Sequence, residues 1–154
     1  MTLVGLISDT HGLLRPQAAA VLAGVDHIIH AGDVGKREIL DALREIAPLT
    51  AVRGNVDAGA LGEILPDDAI VSFDGHDVYV LHNLDDAAIG MRGVRASAVI
   101  SGHTHKPLVE NCGGVFYINP GSAGPRRFSL PISVGFLRLV AGKAPEVWLT
   151  ALDV

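Results

Sequence analysis

Asp9 and His11 are separated by one residue, and so are His103 and His105, while Asp33, Asn55 and His82 each close an apolar run. Carboxylate, amide and imidazole donors in this mixture suit borderline divalent cations such as Mn²⁺, Fe²⁺, Zn²⁺ or Ni²⁺. Seven donors exceed the needs of one ion. Two ions sharing a carboxylate and a hydroxide would use them all, and about 3.5–4 Å is the usual metal–metal spacing for phosphoryl chemistry. Two divalent ions, less two aspartates and one hydroxide, leave a charge of about +1, which attracts and polarises a phosphate ester.

Singly, each motif has an ordinary explanation. D-x-H, G-D and G-N are turn chemistry, and G-H-T-H also describes two structural histidines closing a strand. His27 and His30 read as strand packing, with His30 near enough to the ligands for a supporting role, and His76 reads as part of a hairpin turn. Asp57, Asp85 and Asp86 read as caps of turns or of a helix start, and the acids of "KREILDALREIA" as a solvated helix face. The seven donors differ from these by their order along the chain.

The elements that must position them repeat a unit. "TLVGLIS" (2–8) reads as a buried strand, "RPQAAAVLAG" as a short helix from Arg15 to Gly24, "DHIIHAGD" (26–33) as a strand, "KREILDALREIA" (36–47) as a helix and "LTAVRGN" (49–55) as a strand. This βαβαβ order predicts a parallel sheet with right-handed crossovers. "AIVSF" and "DVYVLH" flank "DGH" as a hairpin, and a short helix is expected over 85–91. "ASAVIS", "VENCGGVFYIN", "ISVGFLRLV" and "PEVWLTAL" complete a β-rich second half, so two packed sheets with flanking helices are expected. All seven donors then fall at strand C-terminal ends, the edge where open α/β sheets bind ligands. On extended backbone the pairs Asp9/His11 and His103/His105 would each point to one side.

With 154 residues, 49% apolar and 19% charged, the chain fits one domain over residues 1–154. Cys112 is the only cysteine, so no intrachain disulfide forms and a reducing compartment follows. With no basic start, signal peptide or membrane-length apolar run, the cytoplasm is the expected location and no membrane partner is expected. A net charge of −5 argues against broad nucleic-acid or anionic-membrane binding.

"SDTHG", "HAGDV", "RGNVD", "VLHN", "SGHTHKP" and "NPGSAGPRR", in that order, resemble small single-domain calcineurin-like metallophosphoesterases of the bacterial and archaeal phosphodiesterase type. The resemblance implies a four-layer α/β/β/α sandwich of two mixed sheets with a two-metal centre, manganese first among the ions named above. By that pattern Asp9, His11 and His105 hold one ion, Asn55, His82 and His103 hold the other, and Asp33 bridges them. A bridging hydroxide attacks a small-molecule phosphate ester, with Asp33, His82 and Asn55 in catalytic roles and Asn55 orienting the phosphate. Arg53, Arg126 and Arg127 are candidate phosphate contacts. Two positions depart from the family pattern. Asn83 stands where a glycine often follows the histidine, and asparagine tolerates the left-handed backbone expected there. Val56 stands where larger relatives carry a histidine that protonates the leaving group; the metals are then expected to carry the reaction largely alone, and His76 is the first side chain to test should a flat leaving-group dependence show that another group acts as the acid. Two rival readings are a protein-binding module like the retromer subunit and a nuclease. The first class typically loses ligands, whereas all seven are present, and the second would bring a basic face or extra domains. A homo-oligomer is left open.

Overall fold

In the computed structural model, residues 1–86 and 95–154 are described, and ten strands among them form two five-stranded sheets. The first sheet contains β1 (Thr2–Ile7), β2 (His27–His30) and β3 (Leu49–Ala51), parallel and joined through helices α1 (Pro16–Leu22) and α2 (Arg37–Ile46). Two C-terminal strands, β9 (Ser133–Leu139) and β10 (Glu146–Ala151), extend it antiparallel, giving the order β10-β9-β1-β2-β3. The second sheet holds β4 (Asp68–Phe73), β5 (His76–Leu81), β6 (Ala98–Ile100), β7 (Leu108–Cys112) and β8 (Val115–Asn119). Its order is β4-β5-β6-β8-β7, with β5, β6 and β8 parallel and the outer pairs antiparallel. Both sheets are therefore mixed, as expected.

β1 is apolar at successive positions because it is covered on both faces. Val4 and Leu6 pack with Ile29, Leu137, Val78, Val80 and Ile100 between the sheets, whereas Ile7 and Ile28 pack with Leu22, Leu40 and Leu43 of the helices. A Cβ on Gly5 would lie 2.6 Å from Leu22 Cδ2, so glycine is what lets α1 sit close on β1. Asp41 and Glu45 of α2 are exposed, Asp41 lying 3.8 Å from Arg44, as a solvated face should be. On the outer face of the second sheet Tyr79, Leu81 and Val99 form a smaller cluster with Val115 and Tyr117.

The structure differs from the sequence reading at several points, β2 for one ending at His30 rather than Asp33. β3 ends at Ala51 rather than Asn55, because the Arg53 N–H turns away to Pro66 O at 2.7 Å. A six-residue helix, α3 (Gly59–Ile64), follows; Gly59 and Gly62 mask it, being poor helix formers in a segment too short for periodicity. Of the helix expected over 85–91, a 3₁₀ turn at Leu84–Asp86 is present and the remainder lies outside the described residues, as does any helical layer built from it.

Candidate metal centre

The loops at the strand ends are laced together by backbone hydrogen bonds. Asp9 N–H donates to Gly32 O at 3.0 Å, His11 N–H to Asp33 O at 2.9 Å and Gly12 N–H to Val34 O at 2.8 Å, joining the loops after β1 and β2. Gly102 N–H donates to His82 O at 3.0 Å, joining those after β5 and β6. Five of the candidate ligands have left-handed backbone: Asp9 (φ +56°), His11 (+47°), Asp33 (+55°), His103 (+72°) and His105 (+64°). This corrects the expectation that each pair points one way from an extended segment. The side chains converge through left-handed turns, a strained arrangement that the interloop hydrogen bonds over-determine.

Five of the seven donors meet in a buried cluster. Asp9 Oδ1 lies 3.3 Å from His105 Nε2 and 3.9 Å from both His11 Nε2 and His82 Nε2. Asp33 Oδ2 lies 3.1 Å from His82 Nε2 and 3.6 Å from His11 Nε2. The other carboxylate oxygens are engaged: Asp9 Oδ2 accepts from Ser8 Oγ at 2.6 Å and His103 N–H at 3.2 Å, and Asp33 Oδ1 accepts from Val56 N–H at 3.0 Å. His82 Nδ1–H donates to Ala31 O at 2.8 Å, which leaves the Nε2 lone pair facing the aspartates. Asp9 Oδ1, His11 Nε2, His82 Nε2 and both His105 nitrogens are buried without a hydrogen-bond partner. Such orphaned polar atoms are costly unless something else satisfies them, and a cation fits this donor set. Two groupings have donor atoms within 4.8 Å of one another, Asp9/His11/His105 and Asp9/Asp33/His82.

His103 and Asn55 are exposed at the rim, the His103 ring edge-on to His82 with centroids 5.2 Å apart. Burial opposes ionisation of Asp33, but His82, the Val56 N–H and the His82 and His11 charges hold its carboxyl well below the usual range. Burial likewise opposes charge on His82, and Asp33, Asp9 and the Ala31 carbonyl outweigh it, raising the ring's pKa. A bound cation would take the place of such a proton.

Four further residues support the centre: His30, which the sequence reading allows that role, and Asp57, Asn119 and Ser122, which it does not single out for one. The buried His30 accepts Gly32 N–H at Nδ1 (3.1 Å) and places Nε2 3.0 Å from Thr10 Oγ1, which donates to Val34 O at 2.9 Å. Asp57 accepts three backbone N–H groups, from Val34, Gly35 and Gly54, tying the Asp33 loop to the Asn55 loop. Asn119 donates to Gly102 O at 2.9 Å, and Ser122 Oγ donates to Asp9 O at 3.1 Å. The signals were the histidine of "HAGD", the last residue of "RGNVD" and the polar residues of "NPGSAG".

The remaining candidates stand apart. Arg53 borders a cleft beside His82, but its Nε and Nη2 are held by Asp67 Oδ1 (2.9 and 2.5 Å) and its Nη1 by Gly62 O (3.1 Å). Arg126 and Arg127 are exposed, Arg126 Nη1 donating to Leu130 O at 3.3 Å. Asn83 does not have the left-handed backbone expected of it; its Oδ1 accepts Asp85 N–H at 3.1 Å and begins the 3₁₀ turn. His76 starts β5 whereas His82 follows its end, about 20 Å away at strand rise, so His76 is not the alternative acid. Its ring instead contacts Ser97 Oγ (2.8 Å) and Val140 O (2.9 Å).

Known proteins share this arrangement of elements. The chain is 39% identical over 129 residues to a probable metallophosphoesterase of Methanocaldococcus jannaschii, covering 78% of this chain and 67% of the relative. Its fold is similar to that of an archaeal phosphodiesterase (TM-score 0.79, 24% identity, 97% and 99% of the two chains covered). It is also similar to Vacuolar Protein Sorting 29 from Cryptosporidium parvum (TM-score 0.78, 20% identity, 97% and 96% covered). Residues 2–142 match the calcineurin-like phosphoesterase superfamily domain, and the chain belongs to that superfamily.

Proposed function

We propose that the chain is a dinuclear metal-dependent phosphodiesterase acting on a small-molecule ester. The observation that carries this reading is the buried set of partnerless donors, Asp9 Oδ1 with His11, His82 and His105 Nε2, gathered around two carboxylates. Asp9, His11 and His105 would hold one ion, and Asn55, His82 and His103 the other, with Asp33 between them; manganese is the first metal to try, then iron, zinc and nickel. When bound, such ions supply Lewis acidity at the phosphoryl oxygens and lower the pKa of nearby water. With Asp33 Oδ1 engaged by Val56 N–H, Oδ2 is the oxygen left to serve both sides. Asn55, exposed at the rim, would orient the phosphate, and Arg53, Arg126 and Arg127 are weaker candidates for contacting it. The lone cysteine agrees with a cytoplasmic setting, and no helix among the described residues is long and apolar enough to cross a membrane. The non-catalytic binding module has the shared fold in its favour and can hold a metal as well, Vps29 from Entamoeba histolytica having been solved with Zn²⁺, so turnover is what separates the two readings.

Hydrolysis of bis(4-nitrophenyl) phosphate and metal content test the proposal together. Metal-loaded protein should hydrolyse the diester and carry two ions per chain, and Asp33→Asn should abolish turnover. His11→Ala and His82→Ala should each lose one equivalent. Full activity after chelation would overturn the metal requirement, and two ions retained in both alanine variants would overturn the ligand assignment.

A further inference from the structure

Beside His82 and Asn55 the surface opens into a cleft of about 410 Å³, within the size range of small-ligand sites. It is lined in part by His82, 5% exposed, so whatever fills the cleft abuts the candidate metal centre. The charge along its wall is uneven. Arg53 is the cation among the described lining residues, and Asp67 already neutralises it. Asp68 and Asp86 have no salt-bridge partner among the described residues, and only Oδ2 of Asp68 is engaged, by the Tyr79 hydroxyl at 2.7 Å. A second phosphate or a carboxylate entering here would meet carboxylates that no cation among the described residues balances, whereas an ammonium group would pair with them.

We propose that this cleft seats one alcohol substituent of the phosphodiester and selects a substituent carrying a protonated amine, making amino-alcohol phosphodiesters the substrate class. The inference rests on the phosphodiesterase reading. It is tested with two shape-matched esters, 4-nitrophenyl 2-aminoethyl phosphate and 4-nitrophenyl propyl phosphate, in which an ammonium replaces a methyl. In either, water adds to phosphorus, the P–O(aryl) bond breaks, 4-nitrophenolate leaves and a proton passes to solvent. Metal-loaded protein should favour the aminoethyl ester in kcat/KM by about fivefold, the order expected of a partly exposed charge pair. The ratio should fall to about one in Asp86→Asn combined with Asp68→Asn, and part of the way in Asp86→Asn alone, which leaves the Tyr79–Asp68 contact in place. Equal rates on the two esters, a preference surviving the double substitution, or cleavage of bis(4-nitrophenyl) phosphate but of neither alkyl ester would each overturn the inference. Failure on the bis-aryl diester as well would instead overturn the phosphodiesterase reading on which it rests.

Discussion

Each central aspartate gives one oxygen to its surroundings and turns the other inward, so the second oxygen's position is set before any ion arrives. His30 contributes to this order from behind. With Gly32 N–H donating to Nδ1, the ring is neutral and carries its proton on Nε2 toward Thr10, and burial lowers its pKa to about 4. An unfolded histidine takes up a proton near pH 6.5, so between that value and about 4 the unfolded state binds more protons. The stability contributed by His30 is therefore present above pH 6.5 and lost as pH falls toward 4, by up to about 3 kcal/mol. Urea titrations of the metal-free protein should show this slope and should show less of it in His30→Asn; identical slopes would exclude the role. Val56 makes a different prediction. Its side chain is 50% exposed and offers no proton, so the acidity of the leaving group should govern the rate. A plot of log kcat/KM against leaving-group pKa should be steep, and Val56→His should make it shallower, with gains up to ~10²–10⁴-fold on poor leaving groups. A flat wild-type slope, with product release shown not to limit the rate, would mean that another group already acts as the acid.

Strands supply the frame of the centre, but loops supply its geometry. The strands stop before the donors, and close backbone packing then brings the loops into contact. Gly102 shows how little room remains: a Cβ there would lie 2.5 Å from Asp9 Oδ2 and would overlap Ser8 Oγ. Gly102→Ala should displace the Asp9 carboxylate, weaken metal binding by about tenfold or more and cost about 1–3 kcal/mol of stability. Metal titration followed calorimetrically is the direct measurement, with circular dichroism verifying that the fold persists. Wild-type affinity in the variant would mean that the Asp9 loop is more compliant than its hydrogen bonds imply.

Across the whole molecule, the partnerless donors come from loops of both sheets, the β1 loop in the first and the β5 and β6 loops in the second. An ion bound to them favours the folded state in proportion to its occupancy, by ~2.7 kcal/mol at a free concentration 100 times Kd. Manganese should therefore raise Tm, a chelator should reverse the rise, and His82→Ala should reduce it. Equal Tm values with chelator and with saturating manganese would contradict a metal centre spanning the sheets.

The chain order of Asp9, His11, Asp33, Asn55, His82, His103 and His105, each just beyond an apolar run, was legible because strand patterning and donor chemistry are local properties. So were the parallel β1–β2–β3 unit and the β4–β5 hairpin, since alternating strands and helices favour parallel pairing and the Asp74-Gly75 turn favours a hairpin, whereas the mixed character of both sheets followed from the motif resemblance. The early end of β3, the left-handed turns at the ligands and the nearness of Asp9 Oδ1 to three histidines were decided elsewhere. They depend on contacts such as Asp9 with His103, 94 residues apart, and Ser122 with Asp9, 113 apart. Local sequence can place a donor at a strand end, but the direction in which it points is settled only when distant loops pack together and claim each other's hydrogen bonds.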